Sequence, residues 1–244
     1  MWLNTRAADG AAGLAGGEVH LWLVHLDRIV RDDAWAAALP AARLRAAADV
    51  RDATARRRYL TAHAALQVLL AAYAGVPAGE LALATGCFGK PRLAAPRRAR
   101  TLSFSLSHAG DVCLIGLTRA GALGVDIERL DRRGDSDALA HAILSAREHA
   151  RWRALAAPAR RAALLQTWTC KEAILKALGV GLALNPRLCE IEWSGAGARI
   201  AALDGPVDGR WSVAPLPAID ARVAAWAAPA GMHPALYAVL DRLS

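Results

Sequence analysis

The sequence predicts an α+β fold built as two similar lobes, and three observations carry that expectation. Apolar residues make up 55% of the 244 positions and charged residues 21%, a balance that excludes wholesale disorder. Strand-like and helix-like periodicities alternate along the chain. The order strand, helical block, strands then occurs twice, with the change of lobe near residue 121, so the lobes are expected at 1–121 and 122–244.

Each element follows from local spacing. Alternation over Val19–Val24 reads as a first strand. Tyr59, His63, Leu66, Leu70 and Tyr73 recur at steps of four and three, which makes one helical stripe, stopped by Gly75 and Pro77. Thr101–Leu106 and Asp111–Leu117 read as strands joined by a turn at Ser107-His108-Ala109-Gly110. The second lobe opens with a strand at Leu123–Glu128. Helices are expected at 137–157 and 159–178, and strands near 188–193, 198–203, 210–214 and 221–228. With no low-complexity linker between the lobes, tight packing is expected, and their seam is the default place for a site.

Charge and cysteine usage narrow the function classes. Lys+Arg number 30 against 22 Asp+Glu, a net charge of +8. The four cysteines, Cys87, Cys113, Cys170 and Cys189, are scattered without a CxxC pair, which disfavours a zinc site or a disulfide framework. No apolar run approaches the ~18–20 residues needed to span a bilayer. Met1–Gly17 carries no basic segment followed by an apolar stretch, so a soluble, cytoplasmic protein without a membrane partner is expected. Only Lys90, Lys171 and Lys176 are lysine; the other 27 basic residues are arginine. Lysine is a compact point charge with a tunable pKa, so these three are candidates for positions where arginine would not serve, with chance as the alternative.

Four short segments carry chemistry. In Gly124-Val125-Asp126-Ile127-Glu128, residues two apart on a strand share a face, so Asp126 and Glu128 present paired carboxylates while Val125 and Ile127 bury behind them. Two like charges ~4 Å apart repel by about 4 kcal/mol at an effective dielectric of 20, which calls for a cation, a shared proton or full solvation. Hard oxygen donors favour Mg²⁺, while a solvated edge strand accounts for the same pair. In Trp168-Thr169-Cys170-Lys171-Glu172-Ala173-Ile174-Leu175-Lys176, the residues Leu164, Trp168, Lys171, Leu175 and Leu178 form a mostly core stripe, with the Lys171 stem along it. Glu172 and Lys176 lie i, i+4 on the adjoining stripe, which also suits an ordinary surface pair. Phe88-Gly89-Lys90-Pro91 reads as a turn in which Lys90 can meet a phosphate, and His108 can donate a hydrogen bond to one. Ser145 and Glu148 read as a helix capping box. Three carboxylates, lysines and a histidine together suit a Mg²⁺-clamped di- or triphosphate.

These blocks, GVDIE at 124–128, WTCKEAILK at 168–176 with GVGL at 179–182, FGKP at 88–91 and LSHAG at 106–110, resemble the larger, surfactin-synthetase-activating 4'-phosphopantetheinyl transferases over roughly residues 43 to 193. The resemblance implies lobes related by pseudo-two-fold symmetry and transfer of phosphopantetheine from coenzyme A to a serine of an acyl or peptidyl carrier protein, with release of 3',5'-ADP. It implies Mg²⁺ on Asp126, Glu128 and Glu172, with Asp126 at the nucleotide, and Glu172 as a candidate for activating the carrier serine. Lys176 would steady the pyrophosphate and its leaving group. Lys90, Ser107 and His108 would contact the coenzyme A phosphates. Among Arg56-Arg57-Arg58, Arg58 is the residue expected to reach the nucleotide, and His63 reads as a core histidine. The position before Ser145, aromatic in many relatives, is Leu144 here. A monomer is expected. Two other classes remain open: a basic nucleic-acid-binding or metal-dependent nucleic-acid-processing protein, against which the arginines are dispersed and no nucleic-acid motif is present, and a catalytically dead carrier-binding module.

Overall fold

The computed structural model describes residues 14–29, 39–195, 197–204 and 210–237. The chain divides into two compact units. The first holds the described residues up to Ala84, Pro91–Gly121 and the strand at His233–Tyr237; the second holds Thr85–Lys90 and the described residues of Ala122–Met232. Two segments therefore depart from a single cut at residue 121. The 85–90 segment belongs with the second unit, and the strand after residue 232 belongs with the first.

In the first unit, β1 (Glu18–His25), β4 (Ser103–Ala109), β5 (Val112–Thr118) and β11 (His233–Tyr237) form one sheet in the order β11-β1-β5-β4. β5 runs antiparallel to both β1 and β4, and β11 joins parallel to β1. A parallel partner so distant in sequence leaves no local turn signal, and β11 was not expected. Helices α1 (Ala41–Ala48) and α2 (Ala53–Ala74) accompany this sheet, and α2 ends at Gly75. Leu66, Leu69, Leu70 and Tyr73 of α2 share a core with Trp22, Val24, Phe104 and Ile115. The apolar stripe leaves that core toward its start, where Tyr59 and His63 are half-buried.

β4 runs to Ala109, beyond the expected end at Leu106. Ser107 pairs with Leu114 and His108 with Cys113, so both are strand residues, with Ser107 buried and His108 exposed. The turn is confined to Gly110 and Asp111. The short strands β2 (Ala82–Thr85) and β3 (Pro91–Ala95) pair on either side of the Phe88-Gly89-Lys90 segment.

In the second unit, β6 (Gly124–Arg129), β9 (Trp211–Pro215) and β10 (Arg222–Pro229) form an antiparallel sheet in the order β6-β10-β9. The expected helix 137–157 is two helices, α3 (Ser136–Ile143) and α4 (Ala146–Ala154). The break falls at Leu144 because Ser145 caps a new helix, its hydroxyl accepting from Glu148 N while the Glu148 carboxylate accepts from Ser145 N. Helix α5 (Ala157–Leu178) follows, then the hairpin β7 (Cys189–Ser194) and β8 (Gly197–Leu203). Cys170, Ala173, Ile174 and Ala177 of α5 pack with Ala225 and Ala227 of β10.

The contact between α5 and β6 is backbone to backbone. A Cβ on Gly124 would lie 1.8 Å from Ala173 O and 2.5 Å from Ala177 N. Only glycine admits that approach. No described helix is long and apolar enough to cross a membrane.

Candidate active site

β6 and α5 bring the predicted acidic residues together. Val125 and Ile127 are buried behind the strand as alternation requires, and Asp126 is itself only 5% exposed. Lys176, in the last turn of α5 and one turn beyond Glu172, donates from Nζ to Asp126 Oδ1 at 2.6 Å. Glu128 accepts from Trp168 Nε1 at 3.4 Å and stands 3.6 Å from Arg132. Burial, then the charge of Asp126, holds the Glu128 carboxyl above the ordinary carboxylate range. The same two causes, in the same order, raise Glu172, with Glu128 adding to them and Lys176 opposing. The three carboxylates thus feel one another, and the cation beside Asp126 is Lys176. Among the described residues, no three His, Cys, Asp or Glu side chains already stand as a metal cage.

Lys171 departs from its expected place. Instead of running its stem along the core with its amine at the surface, it is wholly buried. Its Nζ donates to Glu148 Oε2 at 2.6 Å, Ile143 O at 2.8 Å and Pro186 O at 2.9 Å. Three acceptors use all three N–H donors of an ammonium. The buried Glu148 also accepts from Ile191 N at 2.8 Å. The residue read as a helix cap therefore anchors α5 and β7 as well, which capping spacing alone does not reveal.

Lys90 belongs to the same unit. Its Nζ donates to Leu123 O at 2.9 Å and Ala177 O at 3.0 Å, and burial pushes its amine down to about 8.

In the first unit, Arg58 forms a two-pronged pair with Asp27, from Nε at 3.0 Å and a terminal nitrogen at 2.5 Å, and Arg57 adds a third bond at 3.2 Å. A different group gathers near His108. Tyr59 and His63 meet edge to face with ring centroids 4.4 Å apart, and Arg43 donates to Tyr59 Oη at 3.4 Å. Burial first, then the positive charges of Arg43 and His108, depress His63 to about 3. His63 is half-buried, between the full core and the surface, with Arg43 and His108 opposing its protonation. The arginine at 43 escaped sequence reasoning because α1 has no strong periodic pattern. The only available signal was Tyr59 one turn before His63.

A family model described as the 4'-phosphopantetheinyl transferase superfamily matches residues 122–227, a span lying inside the second unit. The chain is 33% identical over 180 residues to the 4'-phosphopantetheinyl transferase HetI of Nostoc sp., covering 73% of this chain and 75% of that protein. It is 34% identical over 127 residues to a putative 4'-phosphopantetheinyl transferase of Synechocystis sp., covering 52% of this chain and 51% of that one. It is 40% identical over 91 residues to the 4'-phosphopantetheinyl transferase AcpT of Salmonella typhi, covering 37% and 46%. The chain therefore spans three quarters of HetI and about half of the other two. Among solved structures, Thermotoga maritima holo-[acyl-carrier-protein] synthase aligns with a TM-score of 0.36 at 20% identity, over 43% of this chain and 61% of that one. With the paired carboxylate strand, the lysine-bearing helix and a relative matched over most of its length, the chain belongs to the 4'-phosphopantetheinyl transferases and is an enzyme of that type.

Proposed function

We propose that this enzyme moves the 4'-phosphopantetheine group of coenzyme A onto a serine of an acyl or peptidyl carrier protein and releases 3',5'-ADP. The observation that carries this reading is the mutual electrostatic influence of Asp126, Glu128 and Glu172 beside Lys176. The donor set is hard oxygen, and the carboxyls of Glu128 and Glu172 are held up by burial and by Asp126. A divalent cation relieves that condition, so the residues fit Mg²⁺. Asp126, Glu128 and Glu172 would hold it, and when bound it would offset charge on the diphosphate.

The chain's own groups supply the rest. The carrier serine Oγ forms a bond to the phosphorus that bears the pantetheine arm, the bond from that phosphorus to the bridging oxygen breaks, and the electron pair leaves with 3',5'-ADP. Glu172 accepts the serine proton. Lys176 moves its charge from Asp126 to the leaving diphosphate oxygen. Within the first unit, Arg43, His63 and His108 stand as a group suited to a phosphate, with Ser107 as a neighbour of His108. Arg58, held by Asp27, has less freedom to reach it. In this reading the net charge of +8 serves an acidic carrier domain, and the family match gives no support to nucleic acid as substrate.

The test is to incubate the protein with coenzyme A, Mg²⁺ and unmodified carrier domains, and to weigh the carriers. Gain of one phosphopantetheinyl group, lost on chelation and restored by added Mg²⁺, is the expected result. No gain on fatty-acid, polyketide or peptide carriers overturns it.

A further inference from the structure

We propose that Lys90 is a positioning residue, whose ammonium joins the start of β6 to the last turn of α5 and so sets the spacing between Asp126 and the Glu172–Lys176 face. Resting on the function proposed above, this gives Lys90 a task that differs from the coenzyme phosphate contact its motif suggests.

The geometry comes from both ends of the site. Leu123, whose carbonyl accepts from Lys90 at 2.9 Å, directly precedes β6. Ala177, whose carbonyl accepts at 3.0 Å, directly follows Lys176. Ala177 O is among the last four carbonyls of α5, which have no partner within a helix. Gly179 N and Val180 N turn back to Leu175 O and Lys176 O instead. A cation at that end also complements the helix dipole.

The stem is seated as firmly as the amine. A Cβ on Gly179, which sits at φ 74°, would lie 3.2 Å from Lys90 Cδ and 3.6 Å from its Cβ. The backbone of Lys90 is fixed too, its carbonyl accepting from Gly86 N at 2.9 Å while Gly89 N donates to Gly86 O at 3.0 Å. Burial lowers the amine's pKa, which suits a group facing carbonyls inside the protein. A neutral amine has two N–H donors, the number bonded here, and a protonated one keeps a single donor for any phosphate.

Residue choice agrees. All three lysines of the chain bond with α5: Lys171 and Lys176 extend from it to Glu148 and Asp126, and Lys90 reaches it from outside. The flat guanidinium fork of arginine, which supplies every other basic residue, does not converge on such narrow sets of acceptors.

Two variants and two readouts separate the alternatives. Lys90→Met keeps the stem and deletes the amine; Lys90→Arg keeps a phosphate-binding charge and loses the fit. Positioning predicts that both lower kcat by about tenfold or more while KM for coenzyme A moves less than about threefold. Amide exchange, measured without any substrate, should speed up in Lys90→Met at 123–128 and 176–180 and stay unchanged in β1 and β5. Lys90→Cys alkylated with 2-bromoethylamine should regain kcat, with wild type treated alike because Cys87 is exposed. Exchange unchanged in those two segments overturns the proposal, as does a variant pair in which Lys90→Met raises KM and Lys90→Arg restores it. The exchange result stands whether or not carriers are modified, so failure of the transferase reading is separately visible.

Discussion

Asp126 and Lys176, fifty positions apart, meet at 2.6 Å between a strand and a helix. The pair sets a negative group and a positive group of the same site against each other, and each has a second task when substrate charge arrives. Removing either one leaves the other without its nearest counter-charge. Glu172 lies one helical turn before Lys176 and shares its face.

Glu172→Gln keeps the shape of that face and deletes one negative charge. The expected loss is at least ~3 kcal/mol of transition-state stabilisation, about a hundredfold or more in kcat, at saturating Mg²⁺. Single-turnover transfer to a carrier domain measures it. Near-normal turnover would remove Glu172 from the chemistry.

The buried pair of Lys171 and Glu148 should behave as a coupled unit. Lys171→Met strands a buried carboxylate and should cost about 3–5 kcal/mol of stability. Adding Glu148→Gln should recover part of that, because an amide oxygen still accepts from Ile191 N. A double-mutant cycle by urea denaturation gives the coupling energy, and strict additivity of the two changes would show that the pair does not act together.

His63 carries a pH signature. Its folded-state value near 3 lies below the ordinary 6.5, so between those limits the unfolded chain binds a proton that the folded one refuses. Stability from this residue is therefore full above pH 6.5 and falls as the solution is acidified toward pH 3, with a slope of at most about 1.4 kcal/mol per pH unit. His63→Gln should flatten that part of the stability–pH curve. An unchanged slope would mean that His63 titrates normally.

Steering of acidic carriers by the basic surface should appear as salt dependence. The apparent second-order rate of carrier modification should fall as ionic strength passes physiological, where the screening length is about 8 Å. A flat response would point to apolar docking.

Local spacing went furthest where one period ruled a whole element. β6 and α5 were legible because alternation and a three-four step put Asp126 with Glu128, and Glu172 with Lys176, before any tertiary contact was known. Gly110, so close behind, gives Ser107 and His108 the look of a turn, yet the strand runs on to Ala109. The break at Leu144 was visible in its cap, and the helical composition on either side hid it. The partners of Lys90, Lys171 and Arg58 come from segments 15 to 87 positions distant, which no periodicity reports. The same holds for Arg43 beside Tyr59, joined across two helices.

The bare α-carbon at position 124 has a practical consequence for anyone reading tolerance data. A saturation screen for transfer activity should reject nearly every replacement there, as severely as at the carboxylates. Purified survivors should melt earlier and still bind coenzyme A, which marks a spacer whose worth lies in having no side chain.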